Sequence, residues 1–262
     1  MMKSSQNSEH CSNRTILTRE KVMLLLRAAL ESGETRFGRQ TALAWLAAFP
    51  GDIEAALYQA RALITESRFS LALPILEQLY RKDPLNLDVG RVLAKAYGEM
   101  KDERRLTRAL TVNFVLGDVN VPYEKLESWG ELLRAAWLAL AQNHHAEAEQ
   151  LVQAAFQLEP DPLLSAVIHL LTARSLLEPQ KTLRLAQSYY EKWPDCLPAA
   201  LVLAEAHLAS GNEPEAVRLL HLCAANDTAG LAARRLWGEN HPYRSLWPGE
   251  DGIHPMVIHF DL

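Results

Sequence analysis

Residues 56–84 read ALYQARALITESRFSLALPILEQLYRKDP, and the fold follows from that stretch. Two apolar runs at helical spacing flank a polar turn near Ser67. Ala56, Ala60 and Leu63 share one face of the first run, while Phe69, Ala72, Leu76 and Leu79 share one face of the second. Asp83-Pro84 closes the pair, because proline cannot continue a helix and pushes the residue before it out of helical geometry. The stretch predicts two short antiparallel helices joined by a tight turn.

The same design recurs outward in both directions. Pro50 to Pro84, Pro84 to Asp118, Pro160 to Pro194 and Pro194 to Thr228 are each 34 residues apart. Asp118 to Pro160 is 42, so eight extra residues fall near Asp118–Leu126. Thr18 is the expected N-cap of the first helix, whose Val22, Leu25, Leu26, Ala29 and Leu30 run to Gly33. Ala42, Leu43, Leu46, Ala47 and Phe49 make its partner, ending before Pro50-Gly51. Further pairs are predicted at 53–66 with 69–82, 86–99 with 103–116, 126–142 with 145–158, 162–176 with 180–192, and 197–210 with 213–225. A last helix is expected near 229–237, and strand-like alternation is confined to Met256–Phe260. A fixed period of two short helices is the signature of a stacked array, since one pair cannot bury its apolar face alone.

Composition agrees. The 262 residues include 45 Leu and 36 Ala against 12 Gly and 13 Pro, which favours helices and argues against a β-sandwich or a disordered chain. The 27 Lys and Arg against 32 Asp and Glu give a net charge of −5, with no strong overall pull on nucleic acid or anionic lipid. That balance is uneven: residues 1–117 hold 17 basic and 13 acidic side chains, residues 118–262 hold 10 and 19. Three widely spaced cysteines, Cys11, Cys196 and Cys223, form no disulfide framework. Met1–Arg14 has no apolar leader, and no apolar run reaches membrane-spanning length, so a cytoplasmic protein without membrane attachment is expected.

The repeats resemble tetratricopeptide repeats (TPR). Ala200–Thr228 carries Leu203-Ala204, the turn Gly211-Asn212, then Ala216, Leu220 and Cys223 at the family's packing positions. Leu132–Pro160 carries Ala136, Ala139, Asn143, Ala148, Val152, Ala155 and Pro160, and residues 56–84 match equally well. The pattern departs at Leu106, Leu170 and Thr182, where small residues are usual, and the first repeat opens with Val22. The resemblance covers about residues 20–228. It implies an all-α, right-handed superhelical solenoid of about six TPR-like helix pairs with a C-terminal capping helix and tail. The expected organisation is a disordered polar tail at 1–17, repeats 1–3 at 18–118, an insertion and repeats 4–6 at 119–228, and a capping helix with an aromatic, proline-rich tail at 229–262.

No residues suggest catalysis. There is no Gly-rich phosphate loop, Gly-x-Ser-x-Gly elbow, His-Glu-x-x-His or Cys-x-x-Cys. His207 and Cys223 fall at packing positions, and His144-His145 lies in a turn beside Glu147 and Glu149. These read as core and solvated residues, not as metal ligands, so neither metal nor cofactor is expected. The densest basic patch, Lys101, Arg104, Arg105 and Arg108, is diluted by Asp102 and Glu103 and lacks interleaved aromatics. It supports only an alternative reading, a regulatory protein contacting nucleic acid through its basic N-terminal half. Leu236–Pro248 is aromatic and punctuated by proline, and is expected to cap the end of the array; docking of another chain is the other reading.

In TPR proteins the first helices of successive pairs line a concave groove that holds a peptide or helix of a partner. Transferring that register implies groove residues Leu57, Arg61, Arg91, Lys95, Leu133, Trp137, Leu171, Arg174 and Glu205, with Val167 and Leu201 in the same rows. Such a groove is basic at its N-terminal end, apolar with a tryptophan in the middle and acidic at the far end. Chaperone-binding members clamp a C-terminal carboxylate with lysines and asparagines; here the matching Leu57, Arg61, Arg91 and Lys95 are basic but include no asparagine. The expected function is therefore a protein–protein interaction scaffold that binds another protein, including acidic segments, without catalysis.

Overall fold

Four of the six first helices begin at a side chain that satisfies amides an α-helix leaves open at its start. Thr18, Asp52, Asn86 and Asp161 accept from the amides of Lys21, Ala55, Val89 and Leu164, respectively. In the computed structural model, which describes residues 16–238, 241 and 256–257, thirteen α-helices follow one another. They are α1 (Arg19–Glu31), α2 (Thr35–Ala48), α3 (Ile53–Thr65), α4 (Phe69–Lys82), α5 (Leu87–Glu99), α6 (Glu103–Leu116), α7 (Trp129–Ala141), α8 (His145–Phe156), α9 (Pro162–Leu176), α10 (Pro179–Lys192), α11 (Leu197–Ala209), α12 (Glu213–Asn226) and α13 (Leu231–Trp237). Ile16–Leu17 pairs antiparallel with Met256–Val257. The rest of the polar tail and of the aromatic C-terminal segment, 242–250 included, lies outside the described residues. No helix among the described residues is long and apolar enough to cross a membrane.

The 34-residue phase is written into the backbone. Gly33, Ser67, Lys101, Asn143 and Gly211 each take a left-handed conformation, φ 57 to 79, at the turn inside a pair. The pair α9–α10 breaks the series: Leu177 stays extended and Pro179 opens α10. Between α6 and α7 the eight extra residues form a loop with a 3-10 turn at Tyr123–Lys125. The expected helix start near 126 is therefore corrected to Trp129. The preceding residues are tied to α6, with the Glu127 amide donating to Thr111 Oγ1 at 3.0 Å. Trp129 itself is buried, its indole N–H donating to Glu127 at 2.7 Å.

Neighbouring helices pack in sequence from α1 to α12, and α13 rests on α11. Odd-numbered helices also touch the next odd one (α1–α3, α3–α5, α7–α9, α9–α11), whereas α5 and α7 share no comparable contact across the insertion. One apolar core runs from Ile53 to Trp237, and a smaller one joins Val22, Leu26, Ala42 and Trp45 to Ala55 and Tyr58. α9 and α11 are buried on nearly every face, as helices apolar all round must be.

The loops between pairs meet across long sequence distances. Gly51 lies against Ala225 and Asn226, and the Thr228 amide donates to its carbonyl at 3.3 Å. Arg235 of α13 pairs with the buried Asp83 carboxylate. The Tyr80 hydroxyl donates to Asp161 at 2.8 Å, and Arg108 donates to the Glu159 carbonyl at 3.4 Å. The end of α12 and α13 thus meet the loops on either side of the second pair, and the turn before α9 meets α4 and α6, along one seam.

Candidate partner-binding surface

The residues at 34- and 42-residue offsets on the odd helices form two rows one helical turn apart. The first row is Met23, Leu57, Arg91, Leu133, Val167 and Leu201; all but Arg91 are buried in the core. Leu133 therefore presents no surface to a ligand, which corrects its placement in the groove, whereas Leu57, though only 5% exposed, lines the pocket described below. The second row is Arg27, Arg61, Lys95, Trp137, Leu171 and Glu205. Here Arg27 and Lys95 are exposed, Arg61, Trp137 and Glu205 are half-buried, and Leu171 is buried. Leu171 is thus also corrected to a core position. Periodicity shows which face of a helix is apolar; whether that face meets a partner or a neighbouring helix depends on packing.

The three cations of the second row stand on three successive first helices. Arg27 is not among the residues implied by the repeat register above, but it lies 34 residues before Arg61, in the same phase. An open pocket of about 420 Å3 lies between Arg27 and Arg61, lined also by Leu30, Leu57 and Tyr58 and by three carboxylates, Glu31, Glu54 and Asp88. Arg27 Nε donates to the Tyr58 hydroxyl at 3.4 Å, and the Arg61 guanidinium lies 5.7 Å from the centre of the Tyr58 ring. Arg61 approaches Asp88 only at 3.9 Å, so its charge is weakly answered. Arg91 is firmly engaged: its Nε meets Asp118 at 2.7 Å, and the guanidinium holds the Asp118 carboxyl below its ordinary range.

At the far end Arg174 meets Glu205 at 3.3 Å. Burial pushes the Glu205 carboxyl up, and Arg174 pulls it back. His241 Nε2 lies 3.2 Å from the other Glu205 oxygen, and the His241 and Trp237 rings stack at 4.9 Å. The structure therefore brings Arg174 and Glu205 together and lays the chain's own C-terminal residues over them. Trp137 packs against the main core from α7 and joins neither end.

No family model and no curated protein matches the chain.

The basic patch and the histidines behave as the residues around them dictate. Arg105 sits between Glu77 at 3.5 Å and Asp102 at 3.4 Å, and Arg108 lies 3.4 Å from Glu127, so carboxylates interleave the patch. Cys196 and Cys223 are buried; burial pushes the Cys196 thiol up to about 12 and raises that of Cys223 as well. Both remain protonated and unreactive at neutral pH. Among the described residues no cluster of His, Cys, Asp and Glu is arranged to hold a metal ion. A network the sequence did not suggest joins α8, α9 and α10: His169 Nδ1 lies 2.7 Å from the Tyr189 hydroxyl, and its Nε2 lies 3.3 Å from Glu149.

Proposed function

We propose that the chain is a TPR-like solenoid acting as a protein–protein interaction scaffold, without catalysis of its own. Its partner surface is the face of α1, α3 and α5. The observation that carries this reading is the row Arg27, Arg61 and Lys95, one cation per repeat at the same phase, beside the pocket floored by Tyr58. Repeated presentation of one charge along a stack suits an extended chain that runs across the repeats. Packed helices lie about 8–10 Å apart, and an extended chain advances about 3.3 Å per residue. The row therefore suits a partner segment with carboxylates roughly three residues apart. Glu31, Glu54 and Asp88 at the same pocket outnumber its two arginines and select against a wholly acidic tail, so the segment would alternate acidic and basic side chains. The paired and covered Arg174 and Glu205 restrict the surface to the N-terminal half.

The test is affinity capture from native extract with wild type, Arg61→Glu and Lys95→Glu. Both side chains are at least partly exposed, so the variants should melt as wild type does. The partner should be captured by wild type, released by moderate salt and lost with either variant. Equal capture by all three proteins would refute this surface.

A further inference from the structure

A second concavity lies on the opposite side of α5, away from the cation row. It is a small open pocket of about 130 Å3, below the roughly 300–1,000 Å3 of drug-sized sites and so suited only to a small ligand. α5 and α6 supply an apolar floor of Leu93, Ala109 and Val112, with Gly90 contributing only backbone. Gly90 is bare for a packing reason: a Cβ there would fall 2.0 Å from Asn113 Oδ1. Tyr80 and Tyr97 form the walls. Their hydroxyls already donate to Asp161 at 2.8 Å and to Glu77 at 3.0 Å, which leaves ring surface as their contribution.

The rim carries the specificity. Arg105 and Arg108 both line the pocket, one turn apart on α6. Each is loosely paired: the contacts to Glu77, Asp102 and Glu127 measure 3.4–3.5 Å, against 2.7 Å for Arg91–Asp118 and 2.8 Å for Arg19–Asp52. Charge-assisted bonds at full strength run about 2.7–2.9 Å, so both guanidiniums can take a better anion. The third charged lining residue, Asp161, has its Oδ1 occupied by Tyr80 and by the Leu163 and Leu164 amides. The lining itself therefore offers two loosely paired guanidiniums against one engaged carboxylate, over an apolar, ring-walled floor, with Glu77, Asp102 and Glu127 just outside it.

We propose that this pocket binds a small apolar acid, with an aromatic or branched aliphatic body on Leu93 and Val112 and its carboxylate at Arg105 and Arg108. The site is independent of the partner surface on α1, α3 and α5. Asp161 enters from the turn before α9 while the floor comes from α5 and α6, so an occupied pocket also bridges the seam.

The experiment is an NMR titration of the 15N-labelled full chain with 3-phenylpropionate and, separately, with 3-phenylpropan-1-ol, which has the same body without the charge. The acid should shift the Gly90 and Ala109 amides saturably and bind about tenfold tighter than the alcohol. In the double variant Arg105→Gln/Arg108→Gln that preference should vanish, while Arg61→Glu should leave it intact. Absence of saturable shifts at Gly90 and Ala109, or equal affinity of acid and alcohol for wild type, overturns the proposal. Neither of those outcomes depends on a variant folding.

Discussion

Replacing Gly51 by Ala tests the seam, because the sign of the effect depends on it. Gly51 has no left-handed φ, unlike Gly33 at +79, so its backbone could carry a side chain. In an ordinary surface turn of that kind Gly→Ala stabilises by about 0.4–1 kcal/mol, through the unfolded chain. The structure leaves no such room: a Cβ on Gly51 would lie 2.1 Å from the Ala225 carbonyl oxygen and 2.9 Å from its carbon. These are backbone atoms at the end of α12 and cannot swing aside as a side-chain tip can. Overpacking of this kind costs about 1–3 kcal/mol. For a chain of this size that is a fall in melting midpoint of roughly 2–12 °C. The assay is urea denaturation followed by circular dichroism, with hydrogen exchange of the Thr228 amide, the donor to Gly51, as local reporter. Gly51→Ala should lower the midpoint and speed that exchange. Gly33→Asn should be tolerated, since nothing lies within 4 Å there and asparagine accepts left-handed geometry. An unchanged or raised midpoint for Gly51→Ala would refute the closed seam.

Arg235→Ala leaves the Asp83 carboxylate buried without its guanidinium and should cost about 1–3 kcal/mol. A double-mutant cycle with Asp83→Asn should show coupling, and strictly additive losses would sink that pairing. Burial pushes the Asp227 carboxyl up to about 6 from 3.8, despite the Leu231 and Ala232 amides that donate to it. The folded state therefore holds this proton more tightly than the unfolded chain. Its contribution to stability falls as pH rises from about 3.8 to 6 and is level above, by about 3 kcal/mol at most. Asp227→Asn should remove that fall, so denaturant midpoints across the window should shift in the variant's favour as pH rises; parallel curves would contradict it. Trp129→Ala removes a 2%-exposed indole at the start of α7 and should cost about 3–5 kcal/mol, read from the same denaturation curves.

Helix positions were legible because the signals are local. Leu and Ala periodicity marks each run, and proline, glycine and aspartate mark its ends, so thirteen helices appear within a few residues of expectation. The exception, α7, starts late because Glu127 is tied to Thr111, sixteen residues back, which no local pattern reports. The candidate surface was legible only in part. Arg61 and Lys95 keep solvent contact, but Leu57, Leu133 and Leu171 carry the same apolar signal whether they face a ligand or a neighbouring helix. The unbroken apolar run Leu197–Ala204 was the available warning that the second half is embedded.

What the sequence determined by itself is the repeating unit: two helices, a left-handed turn and a 34-residue phase, all set by interactions within a few residues of one another. Only the tertiary structure decided how the units close. Gly51 against Ala225, Asp83 with Arg235 and Tyr80 with Asp161 join residues 81 to 174 positions apart. Such contacts depend on how every intervening helix packs on the next, and no single pair encodes that arrangement. Packing of neighbouring helices buries all but Arg91 of one row of the expected groove and leaves the cations of the other at least partly exposed, while the contacts along the seam bring Asp161 to the arginine-rimmed pocket.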